Sequence, residues 1–366
     1  MRERDSKFLK HLDLVLPHSG RLAAAPILLL LILCAVIFPA GTRARILHDE
    51  ARISSPPIPN VFPPRYHDCV VVLMYHQIGF QHQRRGVIPP ELFDAHMLYL
   101  KKMGFNPISH DAFANFLDGR GKVPNNAILI TFDDGYESFY KYAYPTLEKY
   151  RFPAINFVIV GDTGNTSHSI NIPHLSWNEM KEMEKSGLVA LESHTYDSHY
   201  YAPVDRFGHK RPALVAPLYD AGLRRRESTD EYETRVWCDL WLSKHLLEEN
   251  LHTRVTSLCF PYGAYNSTVI RLARGMGYRY FYTIRSGVNR PGRGAVLVRR
   301  ISAGDSYVTI PELNRRISCA LSPVPSFFDA VTKIKTISAR HLLNSRHPLN
   351  PTHAIGHIAP SSILPH

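Results

Sequence analysis

Two adjacent carboxylates follow a short apolar run near the middle of the chain. Residues 128–132 (ILITF) lead directly into Asp133, Asp134 and Gly135. Glycine permits the backbone to turn, so both carboxylates can face one cavity. Two anions this close are unfavourable unless a cation or a proton lies between them. The alternative is that an aspartate here only caps a helix beginning near Glu137.

Two histidines five positions apart form the second candidate element. His194 and His199 lie in the sequence HTYDSH. Five residues turn a helix by about 500°, so these side chains cannot share a helix face, but in a loop they can converge on one ion. A lone histidine here would more often be a core or surface residue. Two imidazoles and one carboxylate form a three-ligand site with open positions, typical of a catalytic divalent metal.

A divalent metal at such a site has a defined chemistry. It lowers the pKa of a bound water towards about 7 and polarises a carbonyl oxygen. The carboxylate that does not bind the ion is then available as the general base for that water. The residues therefore indicate a metal-dependent hydrolase in which His194, His199 and one of the two carboxylates hold the ion and the other carboxylate takes the proton.

Eight short β-branched or apolar runs could position these groups. They lie at 70–74, 105–108, 127–132, 154–160, 188–191, 255–260, 278–283 and 295–298, with helical periodicity between most of them. In one such segment Leu92, Phe93, His96 and Leu100 share a face, and another follows a capping-box pattern beginning at Ser228. About eight strands alternating with helices over roughly 250 residues predict a (β/α)7-8 barrel, with a doubly wound open sheet as the alternative.

The barrel prediction can be checked against the sequence. Active sites of such barrels lie at the carboxyl ends of the strands, so polar residues should follow the predicted strands. Polar groups do follow five of the predicted strands: Tyr75-His76, Asp133-Asp134, His194, Pro261-Tyr262 and Arg299-Arg300. We therefore expect these side chains to meet at one edge of the sheet.

Three motifs together resemble one known family. TFDDG (131–135), HTYDSH (194–199) and FPYG (260–263) are similar to the motifs of the polysaccharide deacetylases, carbohydrate esterase family 4, also called the NodB-homology group. The resemblance covers roughly residues 70–305. It implies a distorted (β/α)7-8 barrel that hydrolyses N-acetyl groups from amino sugars with Zn²⁺, or with Co²⁺ or Ni²⁺. It also implies that Asp133 is the base and that Asp134, His194 and His199 are the metal ligands. The backbone N–H of Tyr262 would contribute to an oxyanion hole.

The chain also departs from the family pattern. Cys259 stands where the family commonly has arginine, and the late Leu-x-His motif that supplies the general acid is not found. The opening VVLMYH (71–76), the missing histidine and the long stretch 200–250 resemble the poly-β-1,6-N-acetylglucosamine deacetylase branch. His76 then serves as the acid or a substrate contact, or only caps the first strand. Arg300 either orients Asp133 or pairs with a surface acid.

Aromatic side chains are the remaining candidates for contact with a sugar. Pro261 and Tyr262 of the third motif and Trp177 are expected to contact the substrate. Trp237 and Trp241 are four residues apart on one predicted helix. Core packing is the favoured interpretation for this pair, with stacking on sugar faces as the alternative.

The amino-terminal region predicts export. Residues 22–40 carry no charge and are near the roughly 20 residues that a membrane-spanning helix needs. Five Lys or Arg precede them, which places residues 1–21 in the cytoplasm. We expect an uncleaved single-pass anchor at 22–40, with a cleaved signal peptide as the alternative. A Pro-rich spacer (41–67), the barrel (68–318) and a loosely ordered tail (319–366) follow.

The composition limits the classes of partner that we expect for this chain. The 366 residues include 43 Lys+Arg and 32 Asp+Glu, a formal net charge of +11. The basic residues are dispersed rather than clustered, so a nucleic-acid partner is not expected. We expect a membrane-anchored enzyme that deacetylates an extracytoplasmic N-acetylglucosamine polymer. The rivals are a glycan-binding module without activity on the same fold, and a non-haem iron oxygenase.

Overall fold

The computed structural model describes residues 65–80, 85–164, 172–292 and 296–322. Nine strands form the main sheet. Their bounds are Val71–Tyr75 (β1), Asn106–Pro107 (β2), Ala127–Phe132 (β3), Ala154–Val158 (β4), Val189–Ser193 (β5), Ser257–Cys259 (β6), Tyr280–Tyr282 (β7), Val296–Val298 (β8) and Ile301–Ser302 (β9). All eight predicted strands are confirmed, and β9 was missed because its two residues follow the charged pair Arg299-Arg300.

Seven α-helices lie in the described part of the chain. They are Pro90–Lys102 (α1), His110–Leu117 (α2), Tyr144–Tyr150 (α3), Trp177–Lys185 (α4), Thr229–Leu251 (α5), Ser267–Gly275 (α6) and Ile310–Leu321 (α7). A π-helical turn, Phe139–Ala143, precedes α3. The predicted capping box at the start of α5 is present, with Ser228 and Glu231 each accepting the other's backbone N–H.

Three two-stranded sheets lie outside the main sheet. Gln77–Ile78 pairs in parallel with Val87–Ile88. Two antiparallel hairpins occupy the long segment before α5, formed by Tyr201–Pro203 with Lys210–Pro212 and by Tyr219–Asp220 with Arg225–Arg226.

The main sheet is parallel throughout, and one stretch of chain borders both of its ends. The strand order is β8-β7-β6-β5-β4-β3-β1-β9, and β2 pairs with the start of β3. Leu297 of β8 pairs with Phe281 of β7, whereas Ile301 of β9 pairs with Leu73 of β1. Only two residues separate β8 from β9, so the segment 296–302 curls the sheet round. This curled parallel sheet with its helices is consistent with the predicted distorted (β/α) barrel.

Alternating side chains of the sheet enter two apolar cores, as strand geometry requires. Val71 and Leu73 of β1 pack outward against the helices, while Val70 and Val72 pack inside the curl. Helix α2 closes the amino end of the interior. Its residues Phe113, Phe116 and Leu117 join the inner core, and His110 donates or accepts a 2.9 Å hydrogen bond with Ser257 Oγ at the start of β6.

The predictions for the two ends of the chain lie outside the described residues. This holds for the cytoplasmic lead (1–21), the anchor (22–40), nearly all of the spacer (41–67) and most of the tail (319–366). Among the helices that the structure describes, none has the length and apolar character needed to cross a membrane.

A buried acid–base pair joins α2 to the inner face of the sheet. Glu192 Oε1 lies 3.4 Å from His110 Nε2, and Glu192 Oε2 accepts the backbone N–H groups of Thr256 and Ser257 at 3.0 and 2.7 Å. Burial raises the pKa of Glu192 to about 7. Burial opposes protonation of His110, but the carboxylates of Glu192 and Asp111 together outweigh it and raise the pKa of this imidazole.

We expect this pair to make the protein less stable as the pH rises from about 5 to about 8. In this window the folded protein retains protons that the unfolded chain releases, so the free energy of unfolding decreases with pH. For Glu192 alone the change is on the order of 3 kcal/mol. Denaturant unfolding at several pH values measures it. Glu192→Gln should flatten the dependence, whereas substitution of the exposed Glu249 by glutamine should leave it unchanged; equal slopes in both variants would contradict the assignment.

Candidate metal and catalytic site

The turn after β3 presents two carboxylates at the carboxyl edge of the sheet. Asp134 and Gly135 both have left-handed backbone angles, with φ of 77° and 71°. A Cβ atom on Gly135 would lie 3.2 Å from the backbone of Val158, so a side chain does not fit there. The turn therefore needs glycine at this position, and it directs Asp133 and Asp134 into one cavity.

Asp134 lies between the two histidines of the loop after β5. Its Oδ1 is 3.2 Å from His194 Nε2 and 3.4 Å from His199 Nε2. The ligand atoms of the three side chains all lie within 4.8 Å of one another. The three residues named from the sequence as metal ligands are thus brought together across sixty-five positions of chain.

The polar atoms of this cluster fit a cation. Among the described residues, buried Asp134 Oδ1 has no hydrogen-bond donor. His194 donates from Nδ1 to the backbone carbonyl of Cys259 at 2.9 Å, which leaves the lone pair of its Nε2 facing Asp134. A carboxylate oxygen and an imidazole lone pair repel each other unless a positive charge lies between them. The donor set, two imidazole nitrogens and a carboxylate oxygen, is one that Zn²⁺ accepts.

Two pKa shifts in the cluster keep Asp134 and His199 in their metal-binding forms. For His194, burial lowers the pKa, but its contacts with Cys259 and Asp134 outweigh burial and raise it. Burial raises the pKa of Asp134, but its contacts with His194 and His199 outweigh burial, and the net pKa lies well below the usual value. Burial lowers the pKa of His199. At neutral pH the carboxyl is therefore ionised and the His199 imidazole is neutral.

The second carboxylate, Asp133, is held by a buried arginine. Arg300 donates from Nη1 to Oδ1 at 2.6 Å and from Nη2 to Oδ2 at 2.8 Å. The guanidinium also donates to the Thr283 carbonyl at 2.9 Å and to Cys259 Sγ at 3.1 Å. Burial opposes ionisation of Asp133, but Arg300 outweighs it and lowers the pKa of this carboxyl. Of the two interpretations of Arg300, the structure supports the pairing with Asp133.

Cys259 and Asp133 also come near His194, with ligand atoms within 4.8 Å of one another. The guanidinium of Arg300 already compensates the charge of Asp133 and contacts the Cys259 sulfur. Burial raises the pKa of the Cys259 thiol, which disfavours the thiolate that a metal needs. The Asp134 cluster is therefore the better candidate for an ion.

A cavity of 450 Å³ opens above the two carboxylates. His76, which follows β1, lines it and places Nε2 at 3.8 Å from Asp133 Oδ2. Tyr262 lines it from the turn after β6, with a left-handed φ of 56°. The Tyr262 hydroxyl donates to the His199 carbonyl at 3.0 Å, and its ring lies 4.5 Å from the His199 ring. Both side chains thus border the candidate metal site.

Three residues named from the sequence do not line this cavity. Arg300 lies beneath Asp133 and is buried. Pro261 is buried in the turn that presents Tyr262. Trp177 begins α4 and packs against the outer core, so its prediction as a substrate contact is not supported by its position. Local sequence does not distinguish an exposed ring from one packed under a neighbouring element.

Asp239 is a supporting residue that the sequence reasoning missed. It lies on α5, and its Oδ2 and Oδ1 accept the backbone N–H groups of Tyr196 and Asp197 at 3.1 and 2.8 Å. Both donors lie in the loop between the two histidines. The available signal was a carboxylate inside an amphipathic helix, one position before the buried-face residue Leu240. Asp239 fixes the loop that carries His194 and His199.

We expect Asp239→Ala to weaken Zn²⁺ binding about tenfold, because two loop N–H groups lose their acceptor and the histidines lose their fixed spacing. Competition with a chromophoric chelator measures the affinity. The matched control is Asp220→Ala, since Asp220 also accepts two backbone N–H groups, at 2.7 and 2.9 Å, in a hairpin outside the cavity. Equal affinity in the parental protein and the Asp239 variant would contradict this role.

The fold and the site together define a class: an α/β protein with a curled parallel sheet and a candidate Asp-His-His metal site at its carboxyl edge. Residues 120–281 match the family described as polysaccharide deacetylase. The chain contains a polysaccharide deacetylase domain of the NodB-homology, carbohydrate esterase family 4 type.

Relatives and solved structures agree with this domain. The poly-β-1,6-N-acetyl-D-glucosamine N-deacetylase of Escherichia coli K12 is 27% identical over 237 residues, which are 62% of this chain and 35% of that protein. A de-N-acetylase structure from Aggregatibacter actinomycetemcomitans superimposes with a TM-score of 0.63 at 25% identity, covering 68% of this chain and all of that one. IcaB from Ammonifex degensii gives 0.56 at 28% identity, covering 68% and 97%. The chain thus matches about a third of the length of the E. coli relative.

Proposed function

We propose that the protein is a divalent-metal-dependent polysaccharide N-deacetylase that removes acetyl groups from a poly-β-1,6-N-acetylglucosamine-like polymer. The observation that carries the proposal is the cluster of Asp134, His194 and His199 with its unpaired carboxylate oxygen, beside a second carboxylate in the same cavity. The names of the relatives supply the substrate class. The donor set suits Zn²⁺, with Co²⁺ or Ni²⁺ as substitutes.

The residues that would hold the ion are Asp134, His194 and His199. When bound, the ion supplies Lewis-acid polarisation of the acetamide carbonyl and a lowered pKa of water. Asp133 is ionised because Arg300 lowers its pKa, so it can accept a proton from the attacking water at neutral pH. Arg300 fixes the plane of this carboxylate through two parallel hydrogen bonds, and it acts as a positioning residue.

His76 and Tyr262 complete the proposed chemistry on either side of the cavity. His76 Nε2 lies 3.8 Å from Asp133 Oδ2 and faces the same space, so it is placed to give a proton to the departing amine. Tyr262 is assigned the stabilisation of the oxyanion through its backbone N–H, as the resemblance implies. Its exposed ring borders the cavity and is placed to contact the sugar next to the scissile acetamide.

The location follows from the amino-terminal sequence. We infer a single-pass anchor at residues 22–40 with the deacetylase domain outside the cytoplasm. The uncharged run and the basic residues before it support this topology. An exported polymer of N-acetylglucosamine is then the accessible substrate class, and the product carries free amines.

Acetate release from defined polymers tests the proposal. The full-length protein, stripped of metal and then supplied with Zn²⁺, Co²⁺ or Ni²⁺, is incubated with poly-β-1,6-N-acetylglucosamine, chitin oligomers or peptidoglycan. We expect acetate from the β-1,6 polymer and a dependence on added metal. Binding of the polymer without acetate under every metal condition would instead identify a glycan-binding module. A requirement for 2-oxoglutarate and oxygen would identify an oxygenase.

A further inference from the structure

A row of aromatic side chains lies exposed on α5, outside the candidate metal site. Trp237, Trp241 and His245 follow one another at intervals of one helical turn. The rings of Trp237 and Trp241 are 6.0 Å apart at 9°, and those of Trp241 and His245 are 4.6 Å apart at 16°. We call these three side chains the α5 aromatic row.

The expected core packing of the two tryptophans is wrong. Trp237 and Trp241 are 44% and 41% exposed, because the face of α5 that packs on the sheet is formed by other residues. That buried face consists of Tyr232, Val236, Leu240, Ser243, Leu247 and Leu251. Packing against the core therefore does not account for two large aromatic side chains on the outer face.

A cavity of 330 Å³ runs beside the row, between α5 and the end of α6. Lys244 and Glu248 line it from α5, and Gly275 and Met276 line it from α6. Its volume lies at the low end of the range for small-ligand pockets, about 300–1,000 Å³. The cavity thus combines aromatic surface with an ion pair, in which Lys244 donates to Glu248 at 2.6 Å and both side chains also bond to the backbone of Val255.

This chemistry favours a carbohydrate over a protein surface. A pyranose ring presents a face of C–H groups to an aromatic ring, and its hydroxyls need donors and acceptors at the edge. A stable dimer buries about 800 Å² per partner, far more than two tryptophans that are more than half covered can supply. The other exposed residues beside the row include Thr234, Cys238 and Glu249, which do not extend it into a larger apolar surface.

We propose that the α5 aromatic row and its cavity form a second carbohydrate-binding site that takes pyranose rings of a polymer. That the polymer is the one deacetylated at the metal site rests on the proposed function. The row shares α5 with Asp239, which anchors the loop carrying His199. A polymer long enough to reach from the row to the catalytic cavity would be held at both sites, whereas a short oligosaccharide reaches that cavity without the row.

A comparison of a long polymer with a short oligosaccharide distinguishes the aromatic row from the metal site. We compare the full-length parental protein with the Trp237→Ala/Trp241→Ala variant, using poly-β-1,6-N-acetylglucosamine and its trimer. Loss of two aromatic contacts should weaken polymer binding and raise KM for the polymer about tenfold, with kcat nearly unchanged. Turnover of the trimer should not change. Tyr307→Ala is the control, because Tyr307 is 59% exposed but lies outside the row.

A conservative double variant distinguishes loss of the binding surface from a folding defect. Trp237→Phe/Trp241→Phe keeps the rings and should retain polymer affinity. Parental polymer affinity in the double alanine variant would overturn the proposal, as would a change from dimer to monomer, which would identify a self-association surface. If the parental protein released no acetate yet lost polymer binding on substitution, the proposed hydrolysis would fail and the second site would stand. If the parental protein released acetate but its polymer affinity did not depend on either tryptophan, the proposed hydrolysis would stand and the second site would fail.

Discussion

Replacement of His199 by alanine is expected to lower acetate release by about 10³-fold or more. Its Nε2 lies 3.4 Å from the unpaired Oδ1 of Asp134, so its loss leaves two of three protein ligands for the ion. Lewis-acid catalysis supplies several kcal/mol of transition-state stabilisation, and each 1.4 kcal/mol corresponds to about tenfold in rate. Zn²⁺ affinity, measured by chelator competition, should fall together with activity.

Metal removal and a control substitution at a second histidine test this expectation. Chelation of the parental protein should stop acetate release, and Zn²⁺, Co²⁺ or Ni²⁺ should restore it. His209→Ala is the control, because His209 is an exposed histidine that pairs with Asp205 at 2.7 Å outside the cavity. Retention of both Zn²⁺ affinity and activity in the His199 variant would remove the metal site on which the proposed function depends.

The second large effect is expected from Asp133→Asn, which should reduce acetate release by about 10²–10⁴-fold, the usual contribution of a general base. The amide cannot accept the proton of water, while its oxygen can still accept one hydrogen bond from Arg300. Zn²⁺ affinity should be nearly unchanged, because Asp133 is not among the proposed ligands. This separation of activity from metal binding distinguishes the base from the ligands.

The same substitution also leaves Arg300 buried with its charge uncompensated. Breaking a buried pair of this kind costs about 3–5 kcal/mol, so the free energy of unfolding must be measured beside the activity. Asp118→Asn is the control, since Asp118 also pairs with an arginine, Arg279, at 2.8 Å but lies outside the cavity. An Asp133 variant that folds and deacetylates at the parental rate would refute the assignment of the base.

Much of the site could be predicted because its residues are anchored to strand ends. Strand β3 was predicted with the bounds observed, and Asp133 and Asp134 follow it at once. In a parallel sheet the residues after each strand meet at one edge, so their proximity follows from the strand pattern alone. Arg300 was named as a candidate for the same reason, because it follows β8.

Other features depend on packing between elements that local sequence does not specify. The face of α5 was predicted from periodicity, yet the two tryptophans beside it were placed in the core because large aromatic side chains usually are. Asp239 looks like any helical aspartate until the loop lies against it. Glu192 lies between Leu191 and Ser193 in a buried strand, and only the position of α2 gives it His110 as a partner.

The bent segment between β8 and β9 has a consequence for the order of events during synthesis. Because it supplies both the last strand pairings and Arg300, a nascent chain that has emerged only as far as β7 carries an unneutralised Asp133 and an unclosed sheet. The pairings between β9 and β1 join residues more than 200 positions apart, a separation that slows folding. Competence for catalysis should therefore appear abruptly, when the ribosome has released the segment 296–302, rather than accumulate as the domain grows.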